Sequence, residues 1–197
     1  MSNPLEILKD NWLQAKSLKD ASANFCSLAT VSSAGEVSVR TLVLREVTDD
    51  SVVIFINNTS PKWQQLHDSK SFELLVFWPQ LMQQYRVRGE AGEVPVDLMR
   101  EQWARKPYDA KIIDLYYSEC QPQSSVVVSR ERLVSDINAL KQQYPRDSDI
   151  AFPEIAKGIA IKANYVEVWH NSATDRLHER NLYRLSNGEW QQRTLVP

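Results

Sequence analysis

The chain has only two cysteines, Cys26 and Cys120, among 197 residues. They stand far apart, in neither a CxxC pair nor a metal-ligand spacing, so both read as buried thiols, with a single bridge between them left open. Glycine is scarce too, at five residues, and no GxGxxG or GxxxxGK[ST] occurs, which leaves no glycine-rich phosphate loop of the Rossmann or P-loop kind. Long apolar runs are missing. The first twelve residues interleave Glu6, Lys9 and Asp10 with apolar positions, so there is no signal-peptide core, and no later stretch is long enough to span a bilayer; the expectation is a cytoplasmic protein. Neither charge sign dominates. Lys+Arg 23 against Asp+Glu 25 gives a net charge of −2, which removes the global basic field that nucleic acid or an anionic membrane would need. Any anion site must be local.

The residues present suit an ordinary globular protein: 43% are hydrophobic and 24% charged, and no linker-like tract divides the chain, so residues 1–197 read as one domain. Leu5, Leu8, Trp12 and Ala15 recur at helical spacing and predict an amphipathic helix over 4–21. Three strand-like runs follow, at 25–31, 37–47 and 51–56, separated by turn-forming residues and expected to form an antiparallel meander. Ser60 suits an N-cap and Pro61 the first position of a short helix, whose open N–H groups beside Lys62 suit a phosphate. Two more strands are expected at 71–78 and 83–94, with Gly89 and Gly92 marking bends and Gln84, Arg86 and Arg88 sharing a face. Helical segments are expected at 100–106 and 108–117, a polar loop at 118–125, a Ser129-capped helix to about Tyr144, and a surface loop at 145–153. Strands at 158–169, 175–185 and 190–195 close the chain, with Ser186-Asn187-Gly188 as a tight hairpin. Antiparallel strands interrupted by helices, without βαβ alternation, predict a mainly β fold with peripheral helices.

The candidates for chemistry are local cationic groups. In Val37 to Val47, Arg40 and Arg45 are an odd number of positions apart, so an unbulged strand shows one to each face. In Arg176-Leu177-His178-Glu179-Arg180, a regular strand puts three cationic or cationisable groups on one face, where they repel unless something negative lies against them. Lys62 and Gln123-Ser124 complete the set.

The order and spacing of these pieces resemble the pyridoxamine 5′-phosphate oxidase family, whose fold is an antiparallel FMN-binding split β-barrel. The resemblance runs from Asn3-Pro4-Leu5 to Leu195-Val196-Pro197. It rests on Arg176 to Arg180 preceded by Trp169, the strand Arg40 to Arg45, Ser60-Pro61-Lys62, Gln84 within Gln84-Tyr85-Arg86-Val87-Arg88-Gly89, and Gln123-Ser124-Ser125. It implies a homodimer with FMN at the subunit interface. It places Arg40, Lys62, Gln123 and Ser124 on the FMN phosphate, and the flavin ring along Thr41, Leu42, Val43 and Leu44 with Arg45, Phe55, Ile56 and Gln84 near it. Trp169 and Arg180 would come from the partner subunit. Arg176 and His178 would orient the substrate, a small molecule oxidised by hydride transfer to the flavin with oxygen as acceptor. The family's substrate-phosphate clamp of tyrosine, arginine and serine maps to Gln102, Lys106 and Ala110, and Arg45 stands in place of the family's substrate lysine. Lys106 keeps a charge without a guanidinium fork, and Ala110 lacks a hydroxyl. An alternative is therefore a flavin-binding carrier or sensor without turnover. Other split barrels hold a deazaflavin or haem, for which His170 and His178 are weak candidates.

Overall fold

The computed structural model describes residues 3–69 and 71–197. They form two compact units, one of residues up to Ile54 with Gln65–Gly92 and Ile159–Pro197, the other of Phe55–Gln64 and Glu93–Gly158.

The first unit opens with α1 (Pro4–Ser17). Asn3 accepts a hydrogen bond from Leu5 N–H at its start, and Leu5, Leu8, Trp12 and Ala15 form its buried face. The helix stops four residues before the expected Ala21 because Lys19 takes a left-handed conformation, φ +56°. Asp20 N–H then reaches Ala15 C=O and Lys19 N–H reaches Lys16 C=O, which satisfies the last carbonyls.

The strands are β1 (Phe25–Val31), β2 (Val37–Val47), β3 (Ser51–Asn57), β4 (Phe72–Trp78), β5 (Gln83–Glu93), β6 (Ala156–His170), β7 (Glu179–Ser186) and β8 (Glu189–Thr194). Their order is β3-β2-β1-β4-β5-β6-β7-β8, and a β3–β6 pairing closes the first six into a barrel. The expected meander is present: β1 pairs antiparallel with β2, and β2 with β3. Alternation along each strand sends Leu28, Leu74, Val76, Tyr85 and Val87 inward, all at most 1% exposed. Each such side chain contributes about 1.5–3 kcal/mol relative to exposure. Asn11 donates to the Tyr85 hydroxyl, and Trp12 Nε1–H to Ala23 C=O at 2.8 Å, which holds α1 on this unit.

The structure departs from three local expectations. The β2–β3 register slips between Leu44 and Glu46, so Arg45 lies on a bulge where Arg45 and Glu46 are both exposed, and the regular-strand argument for its face does not hold. The last long strand begins at Glu179, because Arg176 has φ +61° and Asp175 accepts the Leu177 N–H at 2.9 Å, making 171–178 a loop. Cys120 is exposed while Cys26 is buried, and both are free thiols. Gly89 marks a close approach: a Cβ there would fall 1.9 Å from the Lys162 carbonyl oxygen. The Asn187-Gly188 hairpin is as expected, both residues having positive φ.

The second unit contains α3 (Val96–Ala104), α4 (Tyr108–Glu119), α5 (Arg130–Gln143) and a one-turn 3-10 helix, Asp147–Asp149. Pro107 separates α3 from α4, and Ser129 caps α5 by accepting from Arg132 N–H. Trp103, Ile112, Leu115, Tyr116, Leu140 and Ile150 form its core, with Leu133 and Ile137 of the predicted α5 stripe packed at the edge. The first half of α2 (Pro61–Asp68) belongs here and the second half to the first unit.

Candidate functional site

In the first unit, Arg40 lies opposite Leu28 in the β1–β2 ladder. Its Nη1 donates to Leu28 C=O at 3.0 Å and to the Thr30 hydroxyl at 2.6 Å, and its Nη2 donates to Gln65 Oε1 at 3.3 Å. Every one of these acceptors is neutral, and among the described residues Arg40 makes no ion pair. Burial pulls its guanidinium below the ordinary value without discharging it. A half-buried cation without a counter-charge is a standing attraction for an anion. Thr41 is exposed, Leu42 and Val43 half-buried and Leu44 buried, so this stretch of β2 offers a graded apolar surface. Gln84 is half-buried on β5, opposite Phe77.

Trp169 and Arg180 lie directly opposite each other in the β6–β7 ladder. The Trp169 ring packs against His178, with centroids 5.1 Å apart. His178 Nδ1 accepts the Ser172 N–H at 3.2 Å, so in the neutral ring the proton sits on Nε2. Arg176, in contrast, is exposed on the loop; the structure does not place it on one strand face with His178 and Arg180. Sequence reasoning missed Glu167, a buried carboxylate within the Val166-Glu167-Val168 run. It accepts from Arg180 Nη2 at 2.8 Å and from Arg86 Nη1 at 3.1 Å. Arg86 and Arg88 converge on Glu73, whose burial raises its pKa, but their hydrogen bonds outweigh that and hold it below the ordinary range. A cleft of about 490 Å³ beside Glu73, Arg86, Arg88 and Phe72 is lined by none of the expected cofactor residues.

In the second unit, Lys62 is only 8% exposed and donates to Gln123 Oε1 at 3.1 Å. The Gln123 loop is pinned by its own N–H, which donates to the Thr59 hydroxyl at 3.2 Å. Thr59 in turn donates through its N–H and hydroxyl to Asn57 Oδ1, at 3.1 and 2.8 Å. The Ser60 hydroxyl donates back to Asn57 C=O at 2.7 Å. Asn57 was also missed from sequence. It is 4% exposed, and its Nδ2 is a buried donor with no acceptor among the described residues. Ser124 is exposed and held at φ +71°, a left-handed conformation that costs a non-glycine residue on the order of 1 kcal/mol. Phe55 is half-buried and Ile56 buried at the end of β3.

The clamp positions behave differently. Gln102 is exposed, Ala110 half-buried, and Lys106 is ion-paired with Asp114, its ammonium 5.4 Å from the Trp103 ring centre. The structure therefore joins Lys62 to Gln123 and Trp169 to His178, and it commits Lys106 to an internal partner.

A closed six-stranded antiparallel barrel with peripheral helices is the architecture of the FMN-binding split barrels. Residues 6–94 match the family model described as pyridoxamine 5′-phosphate oxidase, FMN-binding domain. The chain is similar to the pyridoxine/pyridoxamine 5′-phosphate oxidase of Psychrobacter cryohalolentis, at 30% identity over 100% of this chain and 89% of that protein. A second Psychrobacter oxidase of the same name is 35% identical over 87% of this chain and 79% of its own length. Among solved structures, PhzG from Burkholderia lata, in complex with tetrahydrophenazine-1-carboxylic acid, superposes with a TM-score of 0.87 at 23% identity, covering 100% of this chain and 94% of that one. A pyridoxamine 5′-phosphate oxidase-related, FMN-binding protein from Nostoc punctiforme gives 0.75 at 20% identity, covering 100% of both chains. The chain belongs to the pyridoxine/pyridoxamine 5′-phosphate oxidase family. Among the described residues no helix is long and apolar enough to cross a membrane.

Proposed function

We propose that this chain is an FMN-dependent oxidoreductase that oxidises pyridoxamine or pyridoxine 5′-phosphate, or a related amine or alcohol, with oxygen as acceptor. In this reading residues 1–197 act as one FMN-binding domain, in a cytoplasmic homodimer with the cofactor at the subunit interface. The observation that carries it is Arg40, a half-buried guanidinium whose hydrogen bonds all go to neutral acceptors. The orphaned Asn57 Nδ2 and the nearly buried Lys62 fit the same phosphate chemistry.

Arg40, Lys62, Gln123 and Ser124 bind the FMN phosphate. Thr41 to Leu44, Arg45, Phe55, Ile56 and Gln84 bind the flavin ring, and Trp169 and Arg180 of the other subunit complete its site. Bound FMN supplies the redox chemistry as a hydride acceptor that oxygen reoxidises. The chain's own task is then to bind and orient. The loop Ser172 N–H and the Trp169 ring fix the His178 plane and direct its proton to Nε2. Arg176 and Arg45, both exposed, supply positive charge for a substrate anion, and Gln102 and Lys106 take part in binding it.

A second reading, a flavin-binding protein without oxidase turnover, is favoured by the Lys106–Asp114 ion pair and by Ala110 in the clamp. Anaerobic mixing of the FMN-loaded protein with pyridoxamine 5′-phosphate separates the two. Bleaching of the flavin absorbance supports the oxidase. An unbleached flavin, with this substrate, related amines and alcohols, and a tricyclic carboxylic acid of the kind PhzG holds, supports the carrier or sensor.

A further inference from the structure

Glu167 is 4% exposed, and carboxylates are almost never buried unless they are paired. Three donors from three strands meet it. Oε1 accepts from Arg180 Nη2 at 2.8 Å, and Oε2 accepts from Arg86 Nη1 at 3.1 Å and from the Tyr165 hydroxyl at 3.2 Å. In the β6–β7 register the residue opposite Arg180 is Trp169, and the one opposite Glu167 is Leu182, so Arg180 reaches Glu167 along the diagonal of the ladder. The guanidinium is held at its other end as well. Nη1 donates to Val196 C=O at 2.9 Å, while Leu195 N–H donates to Arg180 C=O at 2.8 Å. Two of its five N–H groups are thereby used, and three remain for a ligand.

We propose that Glu167 is a positioning residue that fixes the Arg180 guanidinium for the cofactor, and that Arg180 meets the flavin as a partly committed donor rather than as an open fork. The inference rests on the assignment of Arg180 to FMN made above. Glu167 touches neither cofactor nor substrate in this account. Its role is to remove the rotational freedom of a long side chain before binding, so that the ordering cost is not taken from the binding energy. Arg86 has a different function: its Nε and Nη2 bind Glu73, so it supports Glu167 without depending on it.

The test combines a cofactor-free readout with a double-mutant cycle on the full chain. Phenylglyoxal labelling of the FMN-free protein, mapped by mass spectrometry, should modify Arg180 several-fold faster in Glu167→Gln than in wild type. FMN titration should show about tenfold weaker binding for Glu167→Gln and for Arg180→Gln, with the double variant no weaker than Arg180→Gln alone. Arg86→Met, which removes one donor from Glu167 but keeps the Glu167–Arg180 contact, should weaken FMN binding less than Glu167→Gln does; an equal or larger loss would show general support of the sheet rather than positioning of Arg180. Equal labelling rates overturn the proposal. So do additive losses in the double variant, because Glu167 would then act independently of Arg180. Faster labelling in a protein whose wild type binds no FMN overturns the cofactor reading and supports Glu167's hold on Arg180.

Discussion

Arg40 and Lys106 are both half-buried cations, and they differ in whether a counter-charge already faces them. Arg40 is surrounded by a carbonyl, a hydroxyl and an amide oxygen, none of which cancels its charge. Lys106 faces Asp114, a carboxylate only 14% exposed at its side chain. An external phosphate at Arg40 gains an uncompensated partner, whereas one at Lys106 must compete with a carboxylate already in place. In the proposed function this contrast matches the residue types: the positions assigned to FMN keep the family's chemistry, and those assigned to the substrate clamp depart from it.

Mutation can sharpen or break this contrast. The largest effect is expected at Arg40: Arg40→Ala should weaken FMN binding on the order of 100-fold, since it removes a desolvated charge-assisted contact. Unchanged affinity in a fluorescence titration would take Arg40 out of the phosphate site. Lys62→Met should cost about tenfold, because an ammonium acts as a point charge without the guanidinium fork. A Lys62 effect larger than that of Arg40 would reverse their ranking. The smallest change is expected from Asp114→Asn, which releases Lys106. It should lower KM for pyridoxamine 5′-phosphate about threefold while leaving FMN affinity unchanged, the range of a partly exposed ion pair. A KM that rises or stays constant would show that Lys106 is not held back by Asp114.

Much of the fold was legible because its signals are local. Alternation marked β1 to β3, the Leu5, Leu8, Trp12 and Ala15 stripe marked α1, and Ser129 and Asn187-Gly188 marked a cap and a turn through side-chain and backbone chemistry that the structure repeats. The failures occurred where pairing or long-range contact decides. Periodicity cannot show the slip at Leu44/Glu46 that moves Arg45 onto a bulge. The basic run 176–180 looked like a strand, but Asp175 captures the Leu177 N–H and holds 171–178 as a loop. Residue type predicts a buried Cys120, which lies exposed at the end of α4.

The site divided along the same line. Lys62 and Gln123, distant in sequence, are joined by a hydrogen bond, and Trp169 with His178 by ring packing. Glu167 and Asn57 went unnoticed because a lone Glu in a strand and an Asn before a turn are ordinary residues in sequence. Burial alone makes them conspicuous, and the available signal was weak: an acid flanked by Val166 and Val168 in an apolar run.

In the proposed function the chain binds FMN through Arg40. Titrating FMN into flavin-stripped protein, followed by quenching of flavin fluorescence, tests it most directly. Saturable binding with one FMN per chain is expected in wild type, with its near loss in Arg40→Ala. Absence of quenching in wild type, or equal binding by both proteins, would contradict it.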